Sequence, residues 1–190
     1  MTEGLFTPPH ASLPELEAGL STIRWSPSND GVIEMIVRRP ATGSRETLAE
    51  GVFDSGAGLI GDNWQRAAGS AGRPPDSGRQ LNIMNSRVIA LVAGERARWP
   101  LAGDQLFIDL NLSYANLPPG SRLAIGEVII EVTAPVHLGC SKFRAHFGGD
   151  AMTFVNSAVG RELNLRGICA RVVQTGRIRL GDRAQKITPP

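Results

Sequence analysis

One thiol in this chain stands where chemistry is most readily done. Cys140 lies in Thr133-Ala134-Pro135-Val136-His137-Leu138-Gly139-Cys140-Ser141-Lys142-Phe143-Arg144, after the strand-like run 127–132 and before two cations. A thiol reacts, and ligates metal, as the thiolate, and nearby positive charge raises the thiolate fraction. Residues four apart share a face in a helix, and residues two and four apart share one in a strand. Arg144 can therefore lie beside Cys140 in either conformation, whereas Lys142 joins them only in an extended segment. The bland reading of Cys140 is a small buried residue at a strand end.

The other titratable groups are less telling. Cys169 sits in the apolar run Gly167-Ile168-Cys169-Ala170-Arg171-Val172-Val173, where a buried, inert thiol is expected. His137 and His146 flank Cys140 and titrate near neutrality, so proton transfer is open to them, as is plain hydrogen bonding. Arg79 and Arg87 read as surface charge. The loop Gly56-Ala57-Gly58-Leu59-Ile60-Gly61-Asp62 can aim backbone N–H groups at an anion or serve only as a turn; no Lys-Ser ending makes it a P-loop. The chain has three histidines and no Cys-x-x-Cys or His-Glu-x-x-His pattern, which argues against a zinc site.

Composition sets the frame. The 190 residues are 42% hydrophobic and 20% charged, enough for one globular core. A net charge of +2, with scattered arginines, gives no electrostatic case for nucleic acid. No apolar stretch approaches the ~20 residues that span a bilayer, and no secretory leader is visible. Two cysteines make no disulfide framework. The expectation is a reduced, cytoplasmic protein without membrane or nucleic-acid partners, its oligomeric state open.

Turn chemistry and periodicity place these residues on elements. Residues 1–30 are expected to form an N-terminal arm, loosely attached over 1–20, with a short acidic helix near 14–19. Residues 31–190 are expected to form one domain. Strands are expected at 32–37, 47–53, 81–84, 106–110, 168–173 and 177–180, and over 122–132 with Gly126 at a bend. Helices are expected at 86–94 and 154–163, the latter starting near Asn156 or Ser157. Residues 66–80 read as an exposed excursion, and Gln174-Thr175-Gly176 as a hairpin turn between the last two strands. Many short strands with Gly/Pro turns and a few short helices predict a mostly β, antiparallel, barrel-like domain.

Taken in order, the segments resemble a MOSC domain, named for the C-terminal domain of molybdenum cofactor sulfurase. The resemblance covers roughly 31–182. Gly58-Leu59-Ile60-Gly61-Asp62 resembles the family's Gly-Leu-x-Gly-Asp loop, and Arg79-Gln80-Leu81-Asn82-Ile83-Met84 its following strand. Gly103-Asp104-Gln105-Leu106-Phe107-Ile108 is similar to its Gly-Glu-Asn-Leu-Thr-Val segment. Leu117-Pro118-Pro119-Gly120 through Gly126, the cysteine block and Gly176 to Asp182 follow in family order. Three positions depart: Gly139 stands where Pro commonly precedes the cysteine, Asn63-Trp64-Gln65 stands where a histidine pair often follows the loop, and Asp104-Gln105 replaces Glu-Asn.

The resemblance implies a β-barrel that handles the molybdenum cofactor or sulfur. Cys140 would then be a molybdenum ligand or a persulfide carrier, both suited to a soft thiolate. Lys142 and Arg144 would bind the pterin phosphate. Asp104 and Gln105 would hydrogen-bond the pterin or orient the cysteine loop. The implied partners are a small-molecule substrate, such as an N-hydroxylated compound to be reduced, or a sulfur-donor protein. Pyridoxal phosphate, bound by a domain fused to some MOSC proteins, has no supporting lysine context here. The alternative is a non-catalytic binding module that kept the fold and lost the chemistry. A third reading is a self-associating protein with Ile129, Ile130 and Val132 on an edge strand.

Overall fold

The protein is described by a computed structural model over residues 10–66 and 74–187. Its barrel uses strands β1 (Gly31–Arg38), β5 (Leu81–Asn85), β6 (Leu106–Asp109), β7 (Arg122–Ile125), β8 (Val128–Val132), β9 (Ile168–Gln174) and β11 (Arg183–Ile187). They follow one another around the wall in the order β1-β11-β7-β8-β9-β5-β6, and β6 returns to β1. Every seam is antiparallel except β5–β6. The expected barrel-like, mostly antiparallel β fold is thus the observed one. Strand β2 (Glu46–Leu48) adds to β1 outside the ring, and β3 (Glu50–Asp54), β4 (Gly58–Leu59) and β10 (Gly176–Arg179) form a separate small sheet.

The parallel seam explains two cores. A parallel pair needs a crossover, and β5 is followed by helix α3 (Ser86–Ala93), which covers the outer face before the chain re-enters at β6. Ile33, Ile36, Ile83, Leu106 and Ile108 fill the barrel interior. Met35, Val37, Met84 and Phe107 of the same strands face the helices. These strands are buried on both faces and so read as continuous apolar runs. A register shift between Ile33 and Met35 resets the alternation of β1.

Helices α1 (Leu13–Ala18), α2 (Leu20–Arg24), α4 (Ser141–Asn156) and α5 (Ala158–Glu162) complete the outer layer. The α1 helix falls where the acidic pattern put it. Its segment is more than a loose arm: Leu16 and Ile23 are buried in the helical core, and the Leu13 N–H donates to Asp150 Oδ2 at 2.9 Å. The strand expected over 47–53 is broken at Ala49, where the chain passes from the barrel wall to the small sheet. The last two expected strands do not pair with each other. β9 ends at Gln174, and β10 pairs with β3, so the closing strand is β11. Ile129, Ile130 and Val132 lie in β8, which is paired on both sides and offers no edge. The expected excursion at 66–80 falls partly outside the described residues; Arg66 and 74–80 are described, 67–73 are not. No helix among the described residues is long and apolar enough to cross a membrane.

Candidate functional site

Cys140 is exposed and caps the N-terminus of α4, with extended backbone (φ −119°, ψ 177°). The segment after it is helical, so Lys142 lies two residues around the helix and off the face that Arg144 shares with Cys140. The Arg144 N–H donates to the Cys140 carbonyl at 3.0 Å, the first turn of that helix. Both cations are exposed, and neither forms an ion pair among the described residues.

The helix is sharply broken inside. Gly148 has φ +90° and ψ 172°, which stops one helical run at 147 and starts another at 149. A straight 16-residue helix would hold its ends about 24 Å apart. Here Asn156, its last residue, touches Gly139, just before its first. The Gly139 N–H donates to Asn156 Oδ1 at 2.9 Å, and Asn156 Nδ2 donates back to the Gly139 carbonyl at 3.3 Å. A Cβ at position 139 would come within 2.9 Å of Met152 Sδ and 3.1 Å of Val155 Cγ2. The residue before the cysteine must therefore be small and must carry an N–H, which accounts for glycine where a proline was the expected neighbour.

Beneath this loop lies a buried polar chain. Asp104 has no exposed surface and takes Arg166 Nη1 on both carboxylate oxygens, at 3.0 and 2.7 Å. Arg166 Nη2 donates to the Ala102 carbonyl, and its guanidinium stacks 4.9 Å above the Phe143 ring, in the first turn of α4. Burial pushes the Asp104 carboxyl up, while Arg166 pulls against that shift. Gln105, equally buried, is spent on the frame: its Oε1 accepts the Asn82 N–H at 2.8 Å, and its Nε2 donates to the Gln80 carbonyl at 3.3 Å.

The Gly-Asp loop joins from the other side. Arg39 grips Asp62 with Nε at 2.9 Å and Nη2 at 2.8 Å, and gives Nη1 to the Gly103 carbonyl at 2.8 Å. Gly58 and Gly61 both have positive φ, which is why glycines occupy those places. Asp62, Arg39, Gly103, Asp104, Arg166 and Phe143 thus form one line of contacts from the loop to the helix that Cys140 caps. Arg87, expected at the surface, forks onto Asp109 at 2.8 and 2.9 Å.

His137 borders this line. Its Nδ1 is 3.5 Å from Asp104 Oδ1 but has no hydrogen-bond partner, and the side chain is 12% exposed. Desolvation first, then Arg166, Arg79 and Arg39, hold its pKa well below the ordinary 6.5, so the ring is neutral and the contact is not an ion pair. Arg166 Nε is the second orphaned polar atom here. A cavity of about 80 Å³, lined by Tyr114, Pro135, His137, Asn164 and Cys169 among others, opens beside them. Cys169 is buried, as the sequence suggested, and burial raises its thiol to about 11, against the pull of Arg79.

A pH signature follows. The unfolded chain protonates His137 near 6.5, while the folded chain resists until well below. Stability supplied by the neutral ring is complete above 6.5 and declines as pH falls below it. His137→Gln should flatten that decline: in urea titrations the parent protein loses ground to the variant from pH 7 to pH 5. A difference that stays constant across this range would refute it.

The structure therefore joins Asp104 to His137 and to the base of α4. It puts Cys140, Lys142 and Arg144 together on the exposed start of that helix, without hydrogen bonds from them to the buried chain among the described residues. Arg39 and Arg166 escaped the sequence reading, and Asn156, expected near the start of a helix, instead ends α4. The spacing Phe143, Phe147, Ala151, Phe154, Val155 carries the helical period that would have exposed α4, but two central glycines mask it.

Comparison with known proteins bears on this arrangement. The family model described as "MOSC domain" matches residues 77–185, more than half of the chain. Among curated proteins no sequence matches. The YuaD protein from Bacillus subtilis is similar in structure at a TM-score of 0.59 and 16% identity, over 84% of this chain and 97% of that one. YiiM from Escherichia coli is similar at 0.51 and 16%, over 84% and 71%. YiiM from Geobacillus stearothermophilus is similar at 0.51 and 14%, over 83% and 73%. At these identities the structural likenesses speak for the fold.

Proposed function

Because this chain belongs to the MOSC domain family, we propose that it holds a molybdenum-pterin cofactor through the Cys140 thiolate. The observation that carries this reading is a soft donor left exposed and free of side-chain bonds at the head of a helix whose first turn carries two exposed cations without ion-pair partners among the described residues. The residues fit such a group in kind. A thiolate suits a soft transition metal, Lys142 and Arg144 suit a phosphate, and the orphaned His137 Nδ1 and Arg166 Nε are polar atoms still wanting partners. The adjoining cavity of about 80 Å³ is too small for a pterin, so the ligand would rest on the open face. When bound, the metal supplies redox chemistry, for which reduction of an N-hydroxylated compound is the reaction we favour.

The chain's own residues do the rest. Asn156 fixes the backbone that presents the thiol. Asp104 and Gln105, without exposed surface, act on the site from beneath: Asp104 holds Arg166 against the Phe143 ring, and Gln105 staples the strands beside Asp104. His137 stays neutral and can accept a proton at the cavity wall.

Exposure of Cys140 also favours a second reading, a persulfide carrier, because a sulfur-donor protein must reach the thiol directly. One experiment separates the two. Protein from a molybdenum-replete host is assayed for metal, pterin and cyanide-releasable sulfur, beside Cys140→Ser. Stoichiometric metal and pterin lost in the variant supports the cofactor reading; labile sulfur without metal supports the carrier. Neither species, in a well-folded protein, leaves a non-catalytic binding module.

A further inference from the structure

A larger cleft lies elsewhere. About 650 Å³ in volume, it lies between β1, β2 and the 3-10 turn Arg96–Ala102, and shares no lining residue with the cavity beside the Cys140 loop. That volume is within the range of small-molecule sites, ~300–1,000 Å³. Its walls are mostly apolar, from Met35, Leu48, Pro100, Leu101 and the half-exposed Leu180.

Its charges do not balance. The lining holds Glu34, Arg45 and Arg96 as its only charged residues. Arg96 is matched by Glu34 at 3.5 Å and stacks 4.7 Å over Trp99. Arg45 has no carboxylate partner among the described residues. Its Nε and Nη1 are anchored on the carbonyls of Pro100 and Ser44, at 3.1 and 2.7 Å, and its Nη2 makes no hydrogen bond among the described residues. Partial burial and the nearby Arg39 push its pKa down against Asp62 and Asp104, the condition of a cation short of compensation. A half-buried guanidinium held by backbone, with one donor idle above a greasy wall, matches one carboxylate and one hydrocarbon tail.

We propose that this cleft binds a small amphipathic monocarboxylate, its carboxylate on Arg45 and its tail along Leu48, Leu101 and Leu180. The single net positive charge selects a monoanion, and Glu34 disfavours a second carboxylate. The site is independent of Cys140.

Calorimetric titration with sodium octanoate tests it. The full chain should bind one equivalent. Arg45→Gln should weaken binding about 10-fold or more, the worth of a charged hydrogen bond. Leu180→Asp, a change at an exposed position, should weaken it as well, by placing negative charge beside the tail. Cys140→Ser should bind like the parent protein. Thermal melts confirm that each variant is folded. Absence of saturable binding, parental affinity in Arg45→Gln or in Leu180→Asp, or 1-octanol binding as tightly as octanoate would overturn the assignment.

Discussion

Replacing Arg166 with Met should destabilise the protein by about 3–5 kcal/mol, the usual cost of stripping one partner from a buried ion pair. Asp104 would keep its charge with no exposed surface and no cation on its oxygens. The Ala102 carbonyl would lose its donor and Phe143 its stacked guanidinium. Asp104→Leu with Arg166→Met removes the stranded charge, so the double variant should be more stable than Arg166→Met alone. Burial already raises the Asp104 carboxyl, and loss of Arg166 raises it further. A group with a raised folded pKa takes up its proton before the unfolded chain does, so the penalty should shrink as pH falls. Urea titrations of Arg166→Met, Asp104→Leu and the double variant at two pH values provide the measurement. Strictly additive losses would show that the pair does not act as a unit.

Gly139→Pro should have the second largest effect, about 2 kcal/mol or more, concentrated at the site. Proline removes the N–H that Asn156 accepts and forces a carbon against Met152 Sδ and Val155. Asn156→Ala loses the same bonds without the clash and should cost about 1 kcal/mol. The order of the two variants is the test, read from denaturation midpoints and from metal and pterin content. If Asn156→Ala proved the more damaging, crowding around Gly139 would not be what sets the residue before the cysteine.

The barrel was legible because its strands announce themselves. Residues 32–37, 81–84 and 106–110 are apolar runs between glycine and proline turns, and each became a strand. The helix at 86–94 was legible for a local reason too: Asn85 Oδ1 accepts the Arg87 and Val88 N–H groups, a cap written in the sequence. What escaped was pairing. Nothing near Thr175 says that β10 leaves the barrel, because that is decided by Gly51 and Phe53 more than a hundred residues earlier. The Cys140 neighbourhood followed the same division. Its exposure and its cations belong to one short segment, whereas Arg39, Arg166 and Asn156 reach it only through the fold. Asp104 and Gln105 were singled out by motif, yet their complete burial is a property of the closed wall around them.

The reversal at Gly148 has a kinetic consequence. With Asn156 bonded to Gly139, the sixteen residues between form a loop closed at its own base. Such a loop opens as one cooperative piece, without requiring the barrel to open. Amide protons from Gly139 through the second half-helix should exchange with deuterium at a common rate, faster than those of β5 and β6. The thiol would then ride on a segment whose opening is timed separately from that of the rest of the molecule.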